Sequence, residues 1–496
     1  MDTLEKLEIL AEAARFDAAC TSSGSDRGPR AGSLGATKAA GCCHTFTPDG
    51  RCVTLLKVLM SNACSYDCAY CVNRSSASCR RATFAPRELA ELTVDFYKRN
   101  YIEGLFLSSG VLGTPDATSE RMISCLRILR EELRFNGYVH SKVIPGTSPE
   151  LVDELGRLSD RLSVNLELPS EKSLGTLCPN KTKSQVMNPM EQIFKTRSQE
   201  EERLLAQGGR RSLGGAGRSA LSLRPTRGLV VAAGQEPLAA APLQTPAESL
   251  ARTEAALSRR SGTSPLFSNG ACLTTMPHSH VASRRRRFAP AGQSTQIIVG
   301  ASPEDDNHIL KLSSALYRRF GLKRVFFSAY VPMLEDAHLP DPQTPVPLRR
   351  EHRLYQADWL MRYYGFSADE LVTPQTPWLD LEVDPKTAWA LAHLDQFPVE
   401  VMDASLERLL RVPGLGPVGA RRIVAARSRG RLDFDDLKAM HVTLGRARHF
   451  ITCCGKRDGQ SPLDAELIRR KVVENAQRAT YNRQRRELEG EQLRLF

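Results

Sequence analysis

The chain has 496 residues, 41% of them hydrophobic and 25% charged, enough for roughly two to four soluble domains. Lys and Arg outnumber Asp and Glu by 68 to 56, a formal charge of +12, and this balance points toward nucleic acid or another polyanion. The 13 cysteines are too sparse for a disulfide scaffold. No apolar run of about 18 residues exists, and Met1–Lys6 is charged and lacks a signal core, so neither a membrane contact nor export is expected. The expected setting is a reducing cytoplasm, where cysteines serve as thiols, metal ligands or catalytic groups.

Residues 1–49 read as a cysteine-containing leader. From 50 to 192, strand-like and helix-like patterns alternate. Strands are predicted at Leu55–Met60, Gly104–Leu107, Tyr138–Ile144 and Leu162–Leu168, and helices at Pro86–Arg99, Ser119–Glu132 and Pro149–Leu158. Residues 193–292 are rich in Ala, Gly, Ser, Pro and Arg, with little periodicity, and read as a disordered insert. From 293 to 384 the alternation resumes with Gln296–Val299, a helix over Asp305–Phe320, and Val325–Val331. Six β/α repeats predict an α/β fold with a parallel sheet, a partial (β/α)6 barrel whose site lies at the strand C-termini. From 385 to 496 only helical patterns occur, which predicts an all-α module.

Charge follows this division. The insert carries 15 basic against 6 acidic residues, net +9, and residues 400–496 carry 20 against 13, net +7, so the rest is −4. The basic excess therefore lies away from the predicted barrel.

The most specific motif is Cys64-Ser65-Tyr66-Asp67-Cys68-Ala69-Tyr70-Cys71, directly after the first predicted strand. Three thiolates in C-x3-C-x2-C can ligate three irons of a cubane and leave the fourth open. A tetrahedral zinc site is the alternative, with His44 or Cys52 as a fourth ligand. The motif and its place in the β/α series resemble the radical S-adenosylmethionine (SAM) superfamily, over about 50–190 and 293–335. That resemblance implies a 4Fe–4S cluster on Cys64, Cys68 and Cys71. The open iron would bind SAM, and reductive cleavage would give a 5′-deoxyadenosyl radical. It further implies SAM contacts from Tyr70, from Ser108-Ser109-Gly110, from Asn165 and Glu167, and from Gly300. The turn departs from the superfamily's Gly-Gly-Glu-like pattern, since Val111 follows Gly110. Asn165 and Glu167 alternate on a predicted strand and are expected on one face. Lys142 reads equally as an interior cation or an edge residue.

Upstream, Gly41-Cys42-Cys43-His44 and Asp49-Gly50-Arg51-Cys52 join Asn100-Tyr101-Ile102-Glu103-Gly104 and Pro290-Ala291-Gly292-Gln293 in a longer similarity. Together these segments resemble the DNA modification/repair radical SAM proteins. This resemblance implies DNA as partner, with RNA as the alternative. It also implies an electron donor such as flavodoxin or ferredoxin, and a uracil-DNA-glycosylase-like protein. Cys20, Cys42, Cys43, His44 and Cys52 fit no compact ligand spacing and read as free thiols or an auxiliary site.

Near the C-terminus, Val412-Pro413-Gly414-Leu415-Gly416-Pro417 separates two amphipathic helical patterns. Pro417 suits a first helical turn, and the glycines allow a tight hairpin that offers amides to phosphate. The segment matches a helix-hairpin-helix, found in DNA repair enzymes. Gly414, Gly416, Arg411, Arg421 and Arg422 are its expected DNA contacts. An ordinary αα-hairpin is the alternative. Tyr330, Tyr355, Trp359, Tyr363 and Tyr364 are candidates for base stacking or, more simply, for packing. The expected function is a radical SAM enzyme of DNA modification or repair, with no catalytic residue assigned. Its alternatives are an RNA-modifying enzyme and a redox-sensing iron–sulfur DNA-binding protein without turnover.

Overall fold

The structure, a computed structural model, describes residues 1–14, 42–46, 52–211, 286–458 and 463–492. Cys20, Cys272 and most of the expected insert, 212–285, lie outside the described residues.

Helix α1 (Thr3–Ala13) precedes a seven-stranded sheet. Its strands are β1 (Cys42–Phe46), β2 (Cys52–Leu59), β3 (Gly104–Ser108), β4 (Tyr138–Lys142), β5 (Arg161–Ser163), β6 (Gln293–Val299) and β7 (Arg324–Ala329), in sequential order. β1 pairs antiparallel with β2, and β2 through β7 pair parallel. Each parallel step is bridged by helix: α2 (Pro86–Lys98), α3 (Pro115–Arg127), α4 (Pro149–Leu158), α5 (Glu171–Leu177) with α6 (Lys183–Arg211), and then Asp306–Phe320. This curled parallel sheet fits a partial TIM-type radical SAM barrel.

Local chemistry explains these elements. Every residue of β3 is buried, as expected for a strand covered on both faces. Thr114 caps α3 by accepting from the Ala117 N–H, and Pro115 and Pro149 occupy first turns where no amide partner exists. α4 turns Val152, Leu155, Gly156 and Leu158 inward. Arg130, on the π-helical turn after α3, is buried and donates to the carbonyls of Leu158, Phe135 and Gly137 and to Asp160.

Several boundaries differ from the sequence expectation. The regular part of β5 is Arg161–Ser163, so Asn165 and Glu167 lie beyond it. Glu167 adopts φ 65° and forms an isolated parallel bridge with Ile297. The expected insert boundary at 193 falls inside α6, which continues to Arg211. At the far side, Phe288 and Ala289 are fully packed, 1% and 0% exposed. The Ala289 N–H donates to the Gly156 carbonyl, and the Phe288 ring lies over Gly156, where a Cβ would stand 2.0 Å from it. Glu200 of α6 accepts from the Phe288 N–H and from Arg157. Both ends of the expected insert thus belong to the barrel wall.

A second apolar core, with Trp389, Phe397, Val401, Leu409, Ile423 and Phe450 at its centre, holds the C-terminal region. It starts before the expected boundary at 385, because Leu360 and Phe366 belong to it. The region is also not purely helical: Val399–Glu400 pairs parallel with Ile451–Thr452. The helix Leu348–Tyr363 gives Leu354 and Ala357 to the barrel core and Leu360 to the second. Tyr355 on this helix both donates to and accepts from the Phe327 backbone, so it packs the barrel. No helix among the described residues is long and apolar enough to cross a membrane.

Phe288→Ala should cost about 3–5 kcal/mol, the usual loss for a buried Phe. Urea denaturation of the full chain measures it, and a loss below ~1 kcal/mol would place Phe288 outside the barrel wall.

Candidate active site at the strand C-termini

The cysteine loop leaves the C-terminal end of β2 and returns at Phe84. Its base is closed by Met60 N–H to the Ser108 carbonyl, 2.7 Å, and Phe84 N–H to the Met60 carbonyl, 2.9 Å. The Asn62 side chain donates to the Arg80 carbonyl and accepts from the Ala82 N–H, both at 2.8 Å. Arg81 gathers four loop carbonyls: Asn62 at 2.6 Å, Asn73 at 2.8 Å, Arg74 at 2.6 Å and Ala77 at 2.9 Å. A guanidinium is suited to this because its donors are rigidly splayed.

Two straps then fix the loop sideways. On one side Ser65 N–H donates to the Val111 carbonyl at 2.8 Å, and Val111 N–H points to the Cys64 sulfur at 3.3 Å. Gly110 lies so close that a Cβ there would stand 2.8 Å from the Ala63 carbonyl oxygen and 3.2 Å from the Cys64 Cβ. On the other side Ala69 N–H donates to the Leu177 carbonyl at 2.8 Å, and Asp67 N–H to the Asn180 side chain at 3.1 Å.

The three sulfurs sit in different surroundings. Cys64 receives the Val111 amide. The Cys68 sulfur is 2.8 Å from the Cys178 sulfur at the end of α5. The Cys178 thiol donates to it and lowers the Cys68 pKa to about 6, with burial opposing and Lys181 assisting; Cys178 is raised in return. Burial pushes Cys71 up to about 12, against a hydrogen bond from the Asn73 amide. The Tyr70 hydroxyl is buried without a well-formed hydrogen bond, although it lies near Cys68 and Cys178. Burial, then Glu167 and the sulfurs, hold it well above its ordinary range. Among the described residues, no three His, Cys, Asp or Glu side chains converge on a position for a single metal ion.

Beside the sulfurs lies a charged group. Glu167 is 3.7 Å from Lys142 and 3.8 Å from Lys181. Burial alone would lower Lys181, but Cys68, Glu167, Cys178 and Cys71 outweigh it and hold the ammonium above its usual value. Lys142 is therefore an interior cation. Asn165 is buried and donates to the Gln296 side chain at 3.1 Å, and the Glu167 N–H donates to the Gln296 carbonyl at 2.9 Å. Ser108 ends β3 and is buried, and the Ser109 hydroxyl donates to the Gly110 carbonyl. Gly300 follows β6 at φ 89°, and a Cβ there would meet Pro347 at 2.8 Å, so the turn itself requires glycine.

The expected DNA contacts divide. The helices Leu406–Arg411 and Pro417–Ala426 are joined by the Gly414–Gly416 loop. Gly414 adopts φ 84°, and a Cβ would stand 2.7 Å from the Thr443 carbonyl oxygen. Gly416 caps the second helix without a side chain. Lys386, buried, donates to the Leu415 carbonyl at 2.6 Å, and burial lowers its pKa to about 7. Arg411 is not free to hold phosphate: it stands 3.9 Å over the Phe366 ring, pairs with Glu370 at 2.8 Å and donates to the Gly365 carbonyl. Arg422 is exposed but donates to the Met440 carbonyl, and Arg408 and Arg427 likewise bond backbone carbonyls. Arg421 is exposed.

Residues 58–197 match the family model described as the radical SAM superfamily. This stretch is a radical SAM domain. Two solved structures resemble the chain more distantly. The FeFe-hydrogenase maturase HydG from Carboxydothermus hydrogenoformans has 15% identity and a TM-score of 0.24, covering 27% of this chain and 32% of that one. A second structure, described as HydG, a maturase of the FeFe-hydrogenase, has 11% identity and a TM-score of 0.35, covering 61% and 48%. The chain thus spans less than half the length of each. A search of curated proteins gave no match.

Radical SAM domains generally hold a 4Fe–4S cluster and SAM. The donor set here fits such a cluster. Soft thiolates are paired with N–H groups at Cys64 and Cys71 and with a thiol and an ammonium at Cys68, all of which favour anionic sulfur. Cys178, Lys181 and Arg81 were not singled out by sequence spacing. No local pattern marks them: Cys178 and Lys181 meet the loop only through the fold, and Arg81, within the loop, acts only once the loop is closed on itself.

Arg81→Met should cost about 3 kcal/mol, since hydrogen bonds to charged groups are worth about 1.5–3 kcal/mol each and these four act as one unit. Hydrogen exchange across residues 62–80 should rise, and Arg81→Lys should not restore protection. Unchanged exchange would remove Arg81 as the clamp.

Proposed function

We propose that this protein is a radical SAM enzyme acting on nucleic acid, DNA first. The observation that carries the enzymatic reading is the placement of Cys64, Cys68 and Cys71 at the C-terminal end of β2 inside the matched domain, each sulfur facing a donor. These cysteines would hold the cluster, which when bound and reduced supplies one-electron cleavage of SAM. Around it, Ser108–Gly110, Asn165, Glu167 and Tyr70 would bound the SAM site, with Gly300 shaping the neighbouring turn. Lys181 and Lys142 would balance Glu167 and the sulfur charge. The electron would come from a small donor protein of the flavodoxin or ferredoxin class.

The nucleic-acid reading rests on the C-terminal hairpin. Its phosphate grip would use the start of the helix Pro417–Ala426 and the exposed Arg421, with Arg422 on the same helix, while Arg411 anchors the hairpin to Phe366 and Glu370. Such a grip positions a strand without reading its bases. A base within a duplex would have to be extruded, or the substrate would be single-stranded.

Anaerobic protein reconstituted with iron and sulfide, given reductant and SAM, should release 5′-deoxyadenosine. Cys68→Ala should lose iron and the visible charge-transfer band; a fully loaded wild-type protein without product would sink the enzymatic reading. For the hairpin, Arg421→Ala should weaken DNA binding about equally across sequences and reduce the salt slope by about one. A salt slope unchanged by Arg421→Ala would argue against the phosphate grip.

A further inference from the structure

We propose that the N-terminal edge of β5–β7 binds a phosphate monoester through Arg161, Arg197 and Lys323. This edge lies at the opposite end of the strands from the cysteine loop, so the site is independent of the cluster reading.

Arg161 opens β5 and is 9% exposed. Its Nε is buried without a hydrogen-bond partner. Lys323 stands immediately before β7. Among the described residues, neither side chain has an ion pair or a hydrogen bond. Arg197 reaches the same edge from α6 and has one carboxylate, Glu201, at 3.1 Å. The other acids nearby are engaged: Asp160 by Arg130 at 2.9 Å, and Glu200 by Arg157 at 2.8 Å.

Backbone bonds bring the three cations together. Leu162 N–H donates to the Gly292 carbonyl at 3.2 Å, and Lys323 N–H to the Gln293 carbonyl at 2.8 Å. Gly292 adopts φ 84°, and a methyl there would stand 2.7 Å from the Lys323 Cγ and 3.3 Å from an Arg197 terminal nitrogen. At the start of β4 the Tyr138 hydroxyl is buried without a partner, within the field of Arg161. Burial and then Arg197 push Lys323 below its ordinary value; burial lowers Arg197 too, with Glu201 opposing and Arg161 adding.

A guanidinium whose Nε is buried without an acceptor carries a desolvation cost, which an anion removes. Arg161 and Lys323 lack a partner among the described residues. A phosphate monoester carries about 1.5–2 negative charges at neutral pH and three acceptor oxygens. A carboxylate or a phosphodiester brings one charge. The guanidinium fork suits two oxygens of a phosphate, and the ammonium and the Tyr138 hydroxyl suit the third.

Inorganic phosphate and a nucleoside 5′-monophosphate are titrated separately into the full chain at constant ionic strength, by calorimetry. Saturable binding is expected, and the tighter arm identifies free phosphate or a phosphorylated metabolite as the source. Lys323→Met and Arg161→Lys should each weaken it by about tenfold or more, as one charged hydrogen bond predicts. Iron content and 5′-deoxyadenosine release should stay at the wild-type level in Lys323→Met, which separates this site from the cluster. No saturable binding, or equal binding in the wild type and Lys323→Met, overturns the proposal. Lys323 lies on the open rim of this edge, partly covered by its neighbours, so that test holds even where the Arg161 variant fails to fold.

Discussion

Parallel pairing of β2 through β7 sends six strand ends to one edge of the sheet, and most groups of the candidate active site hang from that edge, with Cys178 and Lys181 joining them from the end of α5. The cysteine loop extends β2, Ser108–Gly110 extends β3, Lys142 closes β4, Glu167 lies past β5 and Gly300 past β6. A loop of this length would be floppy if tethered only at its base. Here backbone bonds to Val111 and Leu177 tie it on two sides, and Arg81 draws its carbonyls inward. The sulfurs are thus placed by the frame around them, which is the condition for a preorganised cofactor site.

What the sequence made legible was local. C-x3-C-x2-C needs no fold to be seen, and the strand and helix periods gave the order of the barrel elements. The partners of the cysteines were not legible, because Cys68 meets Cys178 across 110 residues, joined only by the sheet. The strand pattern through Leu168 misled about β5. After Ser163 the backbone leaves the ladder with β4, and Glu167 turns to positive φ to face Lys142 and Lys181. The low-complexity composition after 193 likewise hid the last turns of α6, whose contacts with Arg157 and Phe288 are tertiary.

The arginines of the C-terminal region illustrate a related point about charge. Read as a list they form a basic patch. In the structure Arg408, Arg411, Arg422 and Arg427 bond backbone carbonyls of their own module, and Arg411 also packs on Phe366. A guanidinium engaged in this way ties a loop-rich fold together by satisfying backbone acceptors. Net charge therefore overstates the surface available to a polyanion, and the assignment narrows to individual exposed groups such as Arg421.

The helix Leu348–Tyr363 contributes Leu354 and Ala357 to one apolar core and Leu360 to the other. Its Glu351 and Tyr355 also bond the backbone of β7. Unravelling this helix would strip both cores together, so barrel and C-terminal region share one cooperative melting unit. The thermodynamic consequence is linkage: whatever binds either region in the folded state raises the melting temperature of both.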